Sequence, residues 1–186
     1  MKELLSNISL RINTTRNPDL NIIESTGEVM LHDEKNDGFQ IIGKLKFTII
    51  NSYLLSESGL LDAFDSDGDM LVLYSHLKNY LIDGNTDIEG LIFGSLLSLN
   101  DISISNQYRN KGVGKLILSE LIKWSEIMGI GCIVLLALAY EEGSIEDKLK
   151  SAKRLQNLYE SLGFETLAVD DNNPAYIMYY DLTLLR

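Results

Sequence analysis

The residues best equipped for chemistry lie at one junction, residues 102–116, with the sequence ISISNQYRNKGVGKL. A short β-branched run, Ile102-Ser103-Ile104, passes through a polar turn into Arg109-Asn110-Lys111-Gly112-Val113-Gly114-Lys115, directly ahead of an amphipathic segment. Glycines at 112 and 114 remove Cβ atoms where a helix begins, so a ligand can approach the bare backbone. First-turn amides of a helix have no internal acceptor, and the helix dipole adds partial positive charge there. Arg109, Lys111 and Lys115 add three cations within seven residues of a chain whose net charge is −11. Such a junction is an anion site suited to a pyrophosphate. Two familiar phosphate loops do not fit it. The Walker pattern needs four residues between a first glycine and Gly-Lys-Ser/Thr, and the dinucleotide fingerprint needs a third glycine where Ile117 stands.

The elements that must hold this loop follow from periodicity. Val113, Ile117, Leu121, Trp124 and Met128 recur at helical spacing and predict a helix ending near Gly129. Residues 132–139, CIVLLALA, form a continuous apolar run of strand length, as expected of a strand covered on both faces. Leu149, Ala152, Leu155, Leu158, Tyr159 and Leu162 mark another helix, stopped by Gly163. Residues 164–169 and 175–182 read as an antiparallel hairpin around a DDNNP turn. Upstream, residues 39–55 read as a strand with a bulge at Gly43, and residues 69–82 as a helix capped by Asp67 or Asp69. Residues 91–104 read as two strands or one long bent one. That order implies a mixed sheet with helices on its faces.

Composition sets the bounds. The chain has 186 residues, 45% hydrophobic and 23% charged, the proportions of one globular domain, residues 1–186. With 16 basic and 27 acidic side chains its field repels phosphate backbones and anionic membranes, so neither nucleic acid nor a membrane is an expected partner. One cysteine, Cys132, cannot close an internal disulfide, and with two histidines it is too little for a usual zinc site, so no metal is expected. The N-terminus lacks a signal-peptide core, and the apolar run 133–140 is too short to span a bilayer. A cytoplasmic location follows as an expectation.

Arg109, Gly112 and Gly114 fill the pattern Arg/Gln-x-x-Gly-x-Gly/Ala after a strand. This resembles the acetyl-CoA-binding motif of the GNAT superfamily of N-acetyltransferases. Residues 155–165, LQNLYESLGFE, are similar to the family helix ending in Leu-Tyr-x-x-x-Gly-Phe that closes the cofactor cleft. The resemblance spans residues 90–182 and covers the first 90 poorly. It implies the GNAT fold: α/β in the mixed α+β sense, with a central, mostly antiparallel mixed sheet flanked by helices and a V-shaped cofactor cleft. It also implies transfer of an acetyl group from acetyl-CoA to a primary amine of a small molecule or protein by direct attack. The backbone of Ile102, Ser103 and Ile104 would lie beside the pantetheine arm, and Arg109, Asn110, Lys111, Gly112, Val113, Gly114 and Lys115 would hold the pyrophosphate. Tyr159 matches the tyrosine that protonates the departing CoA thiolate, a role suited to a phenol of pKa about 10.

The family's general-base glutamate has no match. Asp101 is the nearest carboxylate, a few positions from the usual place, and a solvated strand-end acid is its plainer account. Glu89 has less support, and a water chain serves equally well. The family asparagine after the apolar strand is also missing: residues 141–150 read as a charged insertion, with Ser151 near that position. The alternative function is a catalytically inactive acyl-CoA-binding sensor or partner-binding module. The acidic charge favours a cationic acceptor, and a homodimer is left open. Other constellations carry less. Asp62, Asp65, Asp67 and Asp69 fail the calcium-loop pattern at Met70 and His76. His32 is expected in a polar loop, His76 in a helix and Cys132 in the core, while Tyr176, Tyr179 and Tyr180 either line an acceptor cleft or pack.

Overall fold

A strand that is apolar on both faces needs cover on both, and β5 (Ile130–Ala137) receives it. Its Ile133 and Leu135 join one apolar cluster, and its Cys132 and Val134 join the other. The computed structural model describes residues 2–33, 37–52, 55–65, 68–83, 87–89, 91, 94–138, 144–170 and 175–183. A short helix α1 (Lys2–Ser6) leads into β1 (Ile8–Asn17), β2 (Ile22–Asp33) and β3 (Gly38–Ile50), an antiparallel meander. Helices α2 (Glu57–Phe64) and α3 (Gly68–Asp83) follow, then β4 (Ser95–Ile104), α4 (Val113–Ile127), β5, α5 (Ile145–Glu160), β6 (Glu165–Asp170) and β7 (Ala175–Asp181). The strands form one seven-stranded sheet in the order β1-β2-β3-β4-β5-β7-β6, antiparallel everywhere except β4 against β5.

Helices α4 and α5 cover one face. Val113, Ile117, Leu118 and Leu121 of α4, with Tyr159 of α5, pack on Phe47, Leu97, Leu99, Ile133 and Leu135. Leu60, Phe64, Met70, Leu73 and Leu77 of α2 and α3 pack on Leu96, Cys132, Val134 and Ile177 across the other face. No helix among the described residues is long and apolar enough to cross a membrane.

Several boundaries differ from the sequence reading. Of the two readings of 91–104, the single bent strand is found, but it is shorter: Leu91 lies in a helical turn, its amide bonded to Ile88 C=O at 3.1 Å, and the strand begins at Ser95. The bulge in β3 falls on Ile42, because Met30 pairs with Ile41 and Val29 with Gly43. Gly43 is required for a different reason: a Cβ there would sit 2.6 Å from the Ser103 carbonyl oxygen across the β3–β4 ladder. Within the segment read as a charged insertion, residues 145–150 form the first turns of α5. Ser144 accepts from the Asp147 amide while the Asp147 carboxylate accepts from the Ser144 amide, a reciprocal cap. His32 lies in β2 rather than a loop, its ring tilted against Phe39 with centroids 5.2 Å apart. Asp69 lies inside the first turn of α3. Asp67, residues 139–143 and residues 171–174 of the hairpin turn lie outside the described residues.

The feature that shapes the site is the parting of β4 from β5. The parallel ladder runs only from Ser95 to Leu99, although β5 continues to Ala137 beside β7. Asn100 is an extra residue in β4, since Phe47 pairs with Leu99 and Lys46 with Asp101. A bulge bends its strand and increases its local twist, which turns residues 100–104 away from β5. An opening between the two strands results.

Candidate functional site

The loop after β4 is built by local bonds. Ser105 N–H donates to Ile42 C=O at 2.8 Å, carrying the chain off the end of β4 into a short turn, Asn106–Tyr108. The Tyr108 hydroxyl donates to Gln40 Oε1 at 3.1 Å, and Arg109 Nε donates back to Ile104 C=O at 2.8 Å. Asn110 and Gly112 take left-handed conformations, φ 59° and 83°, and Gly112 caps α4. The first helical bond runs from Leu116 N–H to Gly112 C=O at 3.0 Å, so the amides of Val113, Gly114 and Lys115 precede the ladder. A Cβ at Gly114 would meet no atom within 4 Å, which leaves the approach to those amides open.

Helix α5 is tied to this loop from the other side of the opening. Arg154 Nη2 donates to Asn110 Oδ1 at 2.5 Å, which fixes the side chain of the left-handed residue. Lys115 Nζ donates to Ser161 Oγ at 3.2 Å, and Lys111 lies 5.8 Å from the centre of the Tyr108 ring. Tyr159 sits between these two ties, 4% exposed, with its ring edge-on to Phe164 at 5.6 Å. Burial, followed by the charge of Asp101, pushes its phenol pKa up to about 12. Asp101 itself is exposed on the part of β4 that has left β5.

The structure therefore groups Asp101, Ile102, Ser103 and Ile104 with the 109–115 loop around one opening, and it brings Asp101 electrostatically to Tyr159 across it. Glu89 is exposed ahead of β4, and Ser151 lies on α5. Of the three C-terminal tyrosines, Tyr180 packs on Phe164 at 5.2 Å, Tyr179 donates to Glu165 at 2.8 Å, and Tyr176 lies under Lys153. Cys132 is fully buried, and burial raises its thiol pKa, which suits a core residue. Sequence reasoning missed two residues. Arg154 carries no local signal, because its partner lies 44 positions away. Asn100, whose carboxamide atoms are buried without a hydrogen-bond partner among the described residues, differs from a solvated strand residue only through the bulge.

The family model for the acetyltransferase (GNAT) domain matches residues 69–166, just over half of the chain and spanning the opening, its loop and α5. The chain belongs to the GNAT acetyltransferase family. No curated protein matches it. Among solved structures it is similar to Arabidopsis thaliana NAA60 in complex with acetyl-CoA, at 12% identity over 94% of this chain and 99% of that one, TM-score 0.46. The ribosomal-protein-S18-alanine N-acetyltransferase from Escherichia coli matches at 12% identity over 94% of each chain, TM-score 0.45. A chain of the KacTA–DNA complex matches at 11% identity, over 87% of this chain and 70% of that one, TM-score 0.46. As a GNAT domain the protein is an acetyltransferase, and its mostly antiparallel mixed sheet with flanking helices is the architecture the motif resemblance implied.

Proposed function

We propose that this chain N-acetylates a primary amine, taking the acetyl group from acetyl-CoA by direct attack of the amine. The observation that carries the reading is the parting of β4 from β5 after Leu99, which leads to the Gly112-capped start of α4 on one side and to Tyr159 on the other. Acetyl-CoA, when bound, supplies an acetyl group already activated as a thioester. The residues present fit it. The open space at Gly114 and the amides of 113–115 suit a pyrophosphate, with Arg109, Asn110 and Lys111 beside it. The strand edge of Ile102, Ser103 and Ile104, no longer paired to β5, offers backbone groups to an extended amide-bearing arm.

Tyr159 holds a proton on Oη, because its pKa of about 12 stands far above any working pH. The departing thiolate, whose parent thiol has a pKa of about 8.5, is a weaker base than the Tyr159 phenolate, so full proton transfer is uphill and Tyr159 assists by donating a hydrogen bond to the sulfur as its negative charge develops. Asp101 presents an exposed carboxylate on the free stretch of β4, where it can attract an ammonium group and receive its proton directly or through water. The acidic balance of the whole chain favours a cationic acceptor in the same sense.

Thiol release from acetyl-CoA across a panel of polyamines, aminoglycosides and lysine-containing peptides tests the reading. The expected outcome is amine-dependent thiol release, with intact-mass spectra free of an acetylated enzyme. Binding of acetyl-CoA without thiol release for any amine would leave an acyl-CoA-binding module in place of an enzyme.

A further inference from the structure

Leu99 and Ile102 both pack in the apolar cluster under α4 and α5, although two residues stand between them. The bulge absorbs the odd residue and places that pair, Asn100 and Asp101, together on the opposite side of the sheet. Asp101 pairs across the ladder with Lys46, and both are exposed. Side chains directly opposite one another have Cβ atoms about 4.5–5.5 Å apart. A carboxylate and an ammonium therefore share one spot where β4 leaves β5. Around them the face is balanced rather than acidic, for all the chain's net charge of −11. Thr26 lies beyond Lys46 on β2, and Lys44 stands opposite Ser103 toward the end of β4. Glu24 and Glu28 are on β2, one strand farther from the opening, and Arg11 holds Glu28 at 3.7 Å.

Asn100 points to a ligand independently. Its Oδ1 and Nδ2 are both buried without a partner among the described residues. Folded chains rarely leave such atoms unpaired, because their desolvation is not repaid. A carboxamide carries an acceptor and a donor on one carbon. Beside Asp101 and Lys46 it can accept an N–H from an amine and donate to a carboxylate of the same molecule. A polyamine uses only the first of these bonds and brings a like charge to Lys46. A molecule with an ammonium and a carboxylate on one carbon uses both bonds and sets each charge opposite its counter-charge.

We propose that the acceptor is a free α-amino acid, its amine at Asp101, its carboxylate at Lys46, and Asn100 bonded to both. The inference rests on the N-acetyltransferase reading above and narrows its acceptor. The ammonium loses one proton to Asp101 or to water, and the freed lone pair forms the C–N bond. The C–S bond breaks with its electron pair on sulfur, and the second nitrogen proton ends on the CoA thiol. The products are an N-acetylamino acid and CoA.

The standard L-amino acids, supplied with acetyl-CoA in the thiol-release assay, test the proposal, and the fastest is compared with its carboxamide and its decarboxylated amine. The expected kcat/KM for the free acid is at least about tenfold above both, the size of one charge-assisted contact. Lys46→Gln should close that gap through the KM of the free acid. Calorimetry of the same amino acid into protein loaded with CoA, where no acetyl group can move, should show its affinity falling by about the same factor in Lys46→Gln. Asn100→Leu should hold or raise the Tm of the free protein, since it removes unpaired polar atoms at similar shape, while amino-acid affinity falls about tenfold. A lowered Tm with unchanged amino-acid affinity makes the carboxamide structural and overturns its role. Equal turnover of the three forms, a gap that survives Lys46→Gln, or thiol release with polyamines but with no amino acid overturns the inference and leaves the acetyltransferase reading standing. A faster carboxamide overturns it in favour of a peptide N-terminus. Thiol release with none of these amines, aminoglycosides and lysine peptides included, overturns both.

Discussion

Tyr159 is kept protonated mainly by burial and secondarily by Asp101, and the two causes are separable by mutation. Its folded pKa of about 12 lies above the ordinary value of 10.0, so its contribution to stability is complete below pH 10 and is lost as pH rises toward about 12. Tyr159 therefore adds no alkaline limb to activity at neutral or mildly basic pH. Tyr159→Phe is expected to leave acetyl-CoA affinity nearly intact while the rate falls roughly 10- to 10⁴-fold, the scale of a lost general acid. Equal rates in stopped-time thiol assays would return this tyrosine to a packing role against Phe164. Asp101→Asn is expected to depress the rate most at low pH, where the amine is protonated, and to recover partly as free amine becomes abundant. Burial, the larger cause, keeps the Tyr159 phenol protonated in that variant. Profiles from about pH 6 to 9.5 with one amine check this, and a curve parallel to wild type contradicts a role in proton removal.

At the scale of elements, the α4 start carries the testable claim. Gly114 is helical, and a side chain there would meet nothing, so Gly114→Leu is expected to hold or raise Tm, with a helix-propensity gain of up to about 1 kcal/mol. The same leucine covers the free amides, so acetyl-CoA affinity should drop at least tenfold, as read by calorimetry; unchanged affinity would place the cofactor elsewhere. Much of this half of the fold is readable from sequence, because α4, β5 and α5 each bury a periodic or continuous apolar set and the glycines punctuate them. The loop residues Arg109, Gly112 and Gly114 are legible for the same reason: their types serve the turn itself. The meander is harder. β1 is an edge strand whose second half, from Ile12 onward, is mostly exposed, so its alternation fades. The start of α5 was hidden by its charges, although Ser144 followed three residues later by Asp147 is a capping signal. The opening itself depends on a one-residue register shift at Asn100, and only cross-strand pairing reveals such a shift.

The molecule as a whole sets a small basic loop into a chain of net charge −11, at the one place where the sheet's single parallel pair separates. On the proposed function, an anionic cofactor and a cationic acceptor would be drawn to different surfaces that meet at the opening, as direct transfer between two bound substrates requires. Central to this account is that the opening binds acetyl-CoA. Titration calorimetry of the full chain with acetyl-CoA, paired with thermal unfolding, tests it most directly. The account predicts one site per chain and a stabilisation that grows with ligand, about 2.7 kcal/mol at a hundredfold excess over Kd. No binding heat and an unmoved Tm at about 1 mM acetyl-CoA, the upper end of ordinary enzyme KM values, would contradict it.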